Sequence, residues 1–279
     1  MTMLSINTNV GALKAATASY SVNKSMEESM QRLSTGKRVN SAADDAAGLQ
    51  ILNRLKAEIG GINQAARNAA DGQAMLAAAE GATQEIHTIL LRMREIGVQA
   101  ANGTMSTADR AAVNSEFVAL EAEINRINDQ TTWAGIKLTN GDFTTSIGGL
   151  FHVGPDAGSG NRITHAIEDL ATTAIGLTAA ITMATQAGAD AAITAIDKAI
   201  STVGAEREQM GAVLNRLDHT VSNLLQVSTQ LQISVGRIED ADFAAETSNL
   251  ARTQVLQQAS MAMLSQANAS KQNILALFQ

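Results

Sequence analysis

The stretch that decides the fold is residues 193–238, ITAIDKAISTVGAEREQMGAVLNRLDHTVSNLLQVSTQLQISVGRI, where apolar side chains recur at alternating intervals of three and four residues. Twelve of the fourteen positions in this series are Ile, Val, Met or Leu, and the exceptions are Arg207 and Ser228. A mean interval of 3.5 residues is the a/d seam of a coiled coil. As a helix the segment would be roughly 70 Å long. Because an apolar seam of that length must be covered, we expect a partner helix of similar length.

Residues 46–101 are predicted to form that partner. Apolar residues from Leu52 to Met93 keep the same spacing, with one slip near Ala79. After a break, a shorter helix is expected over residues 107–130 and should fold back against the preceding one. The sequence therefore predicts a mainly α fold made of long, antiparallel, coiled-coil-like helical rods.

The central segment has a different character. Seven of the 21 glycines lie between Gly135 and Gly160, together with the only proline. Residues 136–139 and 143–147 flank an Asn-Gly dipeptide, which predicts a β-hairpin. Residues 151–154 could add a strand, whereas residues 166–190 support no firm expectation.

Both ends of the chain carry apolar stripes and little charge. Lys14 is the only charged residue before Lys24, and Lys271 is the only one in the last 27 residues. A membrane-surface helix would need Lys and Arg on its polar face, and these are missing. We therefore expect the two ends to pair as helices that order on assembly with other chains. The predicted regions are a terminal-helix layer (1–44 with 239–279), a helical rod domain (45–135 with 185–238), and a short hairpin and variable segment (136–184).

Charged residues concentrate where the apolar seams stop, between each terminal helix and the neighbouring rod. If the ends run side by side, these segments must meet, and we interpret them as an assembly joint. Asp44 and Asp45 could suggest metal binding or acid–base catalysis, but the first turn of a helix explains them better. The predicted joint residues are Arg32, Arg38, Asp44, Asp45, Arg237, Glu239, Asp240 and Asp242, and Lys37 offers a further donor.

Composition and motifs argue against several other classes of function. The net charge of −7 disfavours a nucleic-acid partner. No apolar run is long enough to span a membrane, and the N-terminus lacks the basic start of a cleaved signal. Among possible metal ligands, His165 and Glu168 form only an isolated pair. No nucleophile elbow or phosphate loop is present, so we expect neither catalysis nor a cofactor.

Three stretches resemble bacterial flagellin. Residues 31–48 (QRLSTGKRVNSAADDAAG) are similar to the N-terminal signature of that family. Residues 237–244 (RIEDADFA), with Gln257-Gln258-Ala259 and Gln266-Ala267-Asn268, are similar to its C-terminal signature, and residues 151–154 (FHVG) to a central motif. The resemblance implies a secreted, extracellular filament subunit of the short form that lacks large outer domains. The alternatives are a hook–filament junction protein or a soluble coiled-coil scaffold.

The resemblance also implies partners. These are other copies of the chain, a flagellar export chaperone, the filament cap and hook-junction proteins. Residues 91–99 (LRMREIGVQ) resemble the segment that the animal flagellin receptor contacts, and Glu116 matches a further contact. Leu91, Ile96 and Gly97 depart from the usual residues of the family. The candidate receptor contacts are Arg92, Ile96 and Glu116, although Arg92 could equally serve contacts between subunits.

Overall fold

The computed structural model describes residues 8–178 and 181–276 and is mainly α-helical, with two small pairs of antiparallel strands. The expected fold class is therefore confirmed. Parts of the predicted terminal layer, residues 1–7 and 277–279, lie outside the described residues. The elements are α1 (Val10–Thr35), α2 (Ala46–Ala101), α3 (Thr107–Gln130), β1 (Thr132–Trp133), β2 (Ile136–Lys137), α4 (Asp142–Ile147), β3 (Leu150–His152), β4 (Arg162–Thr164), α5 (Gln186–Glu239) and α6 (Phe243–Ala276).

The chain divides into two compact units, one comprising residues 1–57 and 230–279 and the other residues 58–229. In the first unit, α1 and α6 lie side by side. The side-chain amide of Asn9 donates to the carbonyl of Ala267, and the hydroxyl of Ser29 donates to the carboxylate of Glu246. Since the residue number rises along α1 as it falls along α6, the two helices are antiparallel.

Helices α2 and α5 pack antiparallel and bury the predicted seam, most of which lies in the second unit. Each of the fourteen seam positions on α5 is buried or half-buried. The two polar exceptions are both partnered across the helix pair. Arg207 donates to the carboxylate of Glu80 at 2.8 Å, and the hydroxyl of Ser228 donates to the side chain of Asn63 at 2.9 Å. Because both polar groups are satisfied, the seam continues through them without a break.

Helix α3 begins with a capping box formed by Ser106 and Asp109. The hydroxyl of Ser106 accepts the Asp109 backbone N–H, and the Asp109 carboxylate accepts the Ser106 backbone N–H. These reciprocal bonds satisfy donors that the helix start would otherwise leave unpaired. The side chain of Phe117 anchors this helix in the core.

The predicted hairpin on Asn140-Gly141 is wrong. Strand β2 pairs instead with β1, across a turn at Ala134 and Gly135, both of which have positive φ. The side chain of Asn140 accepts the backbone N–H of Asp142, and residues 142–147 form α4. An asparagine that bonds two residues ahead starts a short helix here rather than closing a hairpin.

The expected strand at residues 151–154 is present in part, as β3, and pairs antiparallel with β4. Phe151 lies against Phe143 with ring centroids 6.1 Å apart, in a core that includes Leu76 of α2 and Leu217 of α5. The strands therefore hold the central segment onto the long helices rather than forming a sheet of their own.

Candidate functional site

The candidate assembly joint lies where the chain leaves α1 and α5, within the first unit. The backbone N–H of Arg38 donates to the carbonyl of Glu239 at 2.6 Å, and that of Ala241 donates to the carbonyl of Gly36 at 3.0 Å. The two segments thus form one antiparallel bridge. Gly36 ends α1 with φ of 71°, a conformation that favours glycine and lets the chain turn towards its partner segment. The two ends of the chain are consequently fixed in register by their backbones.

Glu239 is the central carboxylate of this bridge. Its side chain is only 9% exposed and accepts hydrogen bonds from two lysine ammonium groups, Lys37 and Lys56, each at 2.6 Å. These hydrogen bonds and charges lower the pKa of Glu239, outweighing the opposing effect of its burial. The hydrogen bond to Glu239 in turn raises the pKa of Lys37. One buried anion therefore joins the end of α5 to the segment after α1 and to the start of α2.

Glu246 forms a second contact between the terminal helices. It lies in the first turn of α6 and accepts the hydroxyl of Ser29 and the guanidinium of Arg32, both at 2.9 Å. Burial alone would raise the pKa of Glu246, but the hydrogen bonds from Arg32 and Ser29 and the Arg32 charge lower it. This carboxylate therefore stays ionised while facing α1.

The side chains of Arg38 and Asp242 each bond to backbone groups and not to each other. The guanidinium of Arg38 donates to the backbone carbonyl of Ile238 at 2.7 Å. The carboxylate of Asp242 accepts the N–H groups of Ala244 and Ala245 and so caps α6. Among the described residues no ion pair joins Arg38 to Asp242, so a direct contact between these two charges is not part of the joint.

Among the other predicted joint residues, Asp44 and Asp45 accept bonds from nearby backbone groups and Arg237 is exposed. Asp44 accepts bonds from Asn40 and Ser41, and those from Ser41 chiefly lower its pKa. Asp45 accepts the backbone N–H of Gly48 at the start of α2, the helix-start role expected from the sequence. Within the described parts of the chain, Arg237, in the last turn of α5, forms no ion pair with a joint carboxylate.

Sequence reasoning missed three members of this site, Ser29, Lys56 and Glu246. A signal was available for one of them. Ser29 interrupts the apolar stripe of α1 and precedes Arg32 by three residues, so both project from one helix face. Such a polar pair on an otherwise apolar face indicates a buried partner of opposite charge. Nothing in the sequence points to Lys56, which meets Glu239 only because the chain folds back.

The candidate receptor contacts lie on the second unit and separate into two environments. Arg92 is exposed and donates to Glu116 at 2.9 Å and to Glu95 at 3.1 Å. Ile96, in contrast, is 1% exposed and belongs to the core between α2 and α5. The expectation that Ile96 contacts a receptor is therefore wrong for the folded chain, since a buried side chain offers no contact surface.

The isolated pair of His165 and Glu168 gains a different neighbour in the structure. The Nε2 atom of His165 lies 3.7 Å from Oε1 of Glu206, and both side chains are buried. Burial lowers the pKa of His165 and raises that of Glu206. The described residues contain no group of three or more His, Cys, Asp or Glu that could hold a metal ion, and none of their helices could cross a membrane.

Comparisons with known proteins agree along nearly the whole chain. Residues 6–144 match the family model of the bacterial flagellin N-terminal helical region, and residues 193–278 match that of the C-terminal helical region. A flagellin of Halalkalibacterium halodurans is 41% identical over 253 residues, covering 91% of this chain and 92% of the relative. A flagellin of Bacillus subtilis is 36% identical over 304 residues, covering 98% and 99% of the two chains.

The fold is also shared with a solved structure, a putative flagellar hook-associated protein from Vibrio parahaemolyticus. The TM-score is 0.57 at 19% identity, with 71% of this chain and 100% of the other covered. At that identity the likeness concerns the fold alone. The two family regions and the two relatives, each matched over nine-tenths or more of its length, show that this chain belongs to the bacterial flagellin family.

Proposed function

We propose that the chain is a structural subunit of the bacterial flagellar filament and polymerises through its terminal helices. The observation that carries this proposal is the apolar surface that the α1–α6 pair leaves uncovered. Tyr20 of α1 is 74% exposed, and Val255 and Met263 of α6 are 65% and 66% exposed. Large apolar side chains repeated along two long helices are unfavourable in water, and neighbouring copies in a filament would cover them.

The packing between the two helices supports the same proposal. An open apolar groove of about 570 Å³ lies between them, lined by small residues of α1 such as Ala15 and Ala18 and by Leu256 and Met263 of α6. Two helices that leave such a space between them do not complete a core. Side chains from further copies could enter it, and the terminal pair would then become close-packed only in the polymer.

The joint would orient this terminal layer. Glu239 and Glu246 connect the two ends of the chain by ion pairs, whereas the apolar faces outside them carry little charge. In this proposal the charged contacts set how α1 and α6 meet, and the apolar faces supply the association energy. Changes at the joint should therefore affect filament shape or polymerisation more than the folding of residues 58–229.

The partners and location follow from the filament role. Flagellin homologues form the bacterial flagellum, which is extracellular, so we propose export and assembly outside the cell. An export chaperone, the filament cap and the hook-junction proteins would be met on that route. The proposed filament role includes no catalytic step. A hook–filament junction protein is the alternative, and it would be present in few copies per filament, whereas a filament subunit forms the filament's length.

Truncation tests the proposal directly. Deleting the last 30 residues removes most of α6 and should abolish polymerisation, while residues 58–229 keep their helical signal and thermal unfolding. Polymerisation would be induced by salting out and followed by electron microscopy, with the full chain as reference. Normal filaments from the truncated chain would contradict the role given to the terminal helices.

A finer test uses residues that are exposed in the single chain. Replacing both Met261 and Met263 by Gln should leave thermal unfolding unchanged, because the side chains are 58% and 66% exposed. The same change should raise the critical concentration for polymerisation, since it removes apolar area buried between copies. Ser265→Ala, an exposed position on the same helix, is the matched control and should polymerise like the parent.

A receptor contact at Arg92 and Glu116 is also proposed. Both side chains are exposed, and their ion pair holds them in one orientation across α2 and α3. Arg92→Ala should reduce signalling by the animal flagellin receptor in a dose–response assay. Arg126→Ala, which removes another exposed arginine with an acidic partner on α3, is the control. Equal potency of the Arg92 variant and the parent would exclude this residue from the contact.

A further inference from the structure

A groove of about 440 Å³ lies in the second unit, between α5 and the turn that joins β3 to β4. Its polar lining comes from Arg162 on β4 and from Arg216 and His219 on α5, with Asn161, Thr220 and Asn223 beside them. None of the residues that line it is acidic. The groove thus gathers two permanent positive charges and a titratable imidazole in a chain whose net charge is −7.

The two arginines differ from most others in the molecule. Arg94 and Arg207, for example, pair with carboxylates across the same long helices. For the guanidinium groups of Arg162 and Arg216, by contrast, no ion pair or hydrogen bond is found among the described residues. Residues one turn from Arg216 on either side, at 212, 213, 219 and 220, are also non-acidic, and the nearby Asp218 does not line the groove. Two guanidinium groups that share a groove without an acid favour an anionic ligand between them.

The wall of the groove is already built in the single chain. The side-chain amide of Asn161 donates to the carbonyl of Asp156 at 2.9 Å, and the N–H of Val153 donates to the carbonyl of Asn161 at 2.8 Å. A Cβ on Gly154 would come within 2.5 Å of the Asn161 side chain, so the turn is tight at that point. A ligand entering the groove would meet a fixed wall, which lowers the entropic cost of binding.

We propose that this groove binds a carboxylate side chain of a second copy of the chain, at a contact between subunits. The inference rests on the proposed filament function and names one of its contacts. Each copy carries 27 acidic and 20 basic residues, so copies packed closely repel one another unless acidic groups meet basic ones. The planar guanidinium fork suits a carboxylate, and two forks facing one groove can bind both of its oxygens.

The test compares two double variants with the same change of charge. Arg162→Gln with Arg216→Gln should leave the melting temperature of the single chain unchanged or slightly raised, because it removes two like charges. It should raise the critical concentration for polymerisation about threefold to tenfold, a range typical of losing exposed ion pairs. Arg54→Gln with Arg67→Gln, two exposed arginines without an acidic partner among the described residues, is the control and should polymerise like the parent.

Each other outcome overturns the inference. Equal weakening in both double variants would mean that net charge, rather than this groove, controls assembly. Unchanged polymerisation in the groove variant would mean that its arginines are only solvated. Inorganic phosphate titrated against the parent single chain should show no saturable binding; micromolar binding that the groove variant loses would assign the groove to a free anion. Failure of the parent to polymerise would instead refute the filament function itself.

Discussion

Replacing Glu246 by Gln tests how strongly the charged contacts hold the terminal helices together. The change keeps the shape of the side chain, and the amide oxygen can still accept the hydroxyl of Ser29. What is lost is the charge that faces Arg32 at 2.9 Å. Arg32 is 33% exposed, so solvent screens part of this interaction, whereas Glu246 is only 10% exposed. We expect the contact between α1 and α6 to lose about 1–2 kcal/mol of stabilising free energy, a value between those of surface ion pairs and of buried charged hydrogen bonds.

The assay is hydrogen exchange of backbone amides in α1 and α6, compared between parent and variant at neutral pH. Glu27→Gln is the matched control, because Glu27 is an exposed carboxylate on α1. Glu246→Gln should increase the amide exchange rates of α1 and α6 by about fivefold to thirtyfold. Residues 58–229 should exchange as in the parent.

The pH dependence of the exchange difference between parent and variant gives a second test of the Glu246 charge. Since the pKa of Glu246 is lower in the folded chain than the ordinary glutamate value of 4.5, its contribution is present above pH 4.5. That contribution is lost as the pH falls through the lowered pKa, so parent and variant should converge in acid. An exchange difference at neutral pH no larger than that of the Glu27 control would refute the reasoning. So would a difference that persists unchanged well below pH 4.5.

Three further changes test the second unit. Leu217→Asp should destabilise the second unit by roughly 3–5 kcal/mol, because Leu217 is completely buried and the new charge would have no partner. An unchanged melting temperature, or an equal effect of the control Asn215→Asp, would contradict the placement of Leu217 in the packed seam. Ser106→Ala should lower stability by about 1 kcal/mol through loss of the helix cap, measured by urea unfolding. At pH values above neutral, Glu206→Gln should raise the melting temperature, because burial of the carboxylate beside His165 opposes its ionisation and raises its pKa. The parent therefore loses stability as the pH rises, and the gain from the substitution should vanish in acid.

The sequence was most informative where a long periodic pattern dominates. Residues 193–238 lie within one helix, and residues 46–101 and 107–130 match α2 and α3 at both ends. In these segments the apolar period and the helix breaks agree, so few alternatives fit. Short segments were less predictable. An Asn-Gly dipeptide is compatible with a hairpin turn or with a helix start, and the tertiary bond from Thr139 to the carbonyl of Asn128 helps decide between them.

The candidate joint was predictable in its location but only partly in its members. Charges at the ends of apolar seams indicate where the chain must turn, and the segments around Arg38 and Glu239 do meet. Their role in assembly stays a prediction. Which charges meet depends on the rotation of α1 against α6, and sequence spacing does not determine that rotation. Glu246, a first-turn glutamate like many others, therefore gave no signal of its own. Similarly, Ile96 was misplaced because a motif shared with a family does not distinguish a surface residue from its buried neighbour.

The antiparallel contact of α1 with α6 also has a consequence for timing. Its hydrogen bonds join residues that are 214 to 259 positions apart in the chain. A ribosome adding 5–20 residues per second needs about 10–50 seconds to make the intervening chain. Throughout that interval α1 exists without the helix that covers it, and long-range contacts of this kind form slowly. The first helix to be synthesised is thus among the last to be completed, and any protein that binds it during synthesis competes with no intramolecular partner.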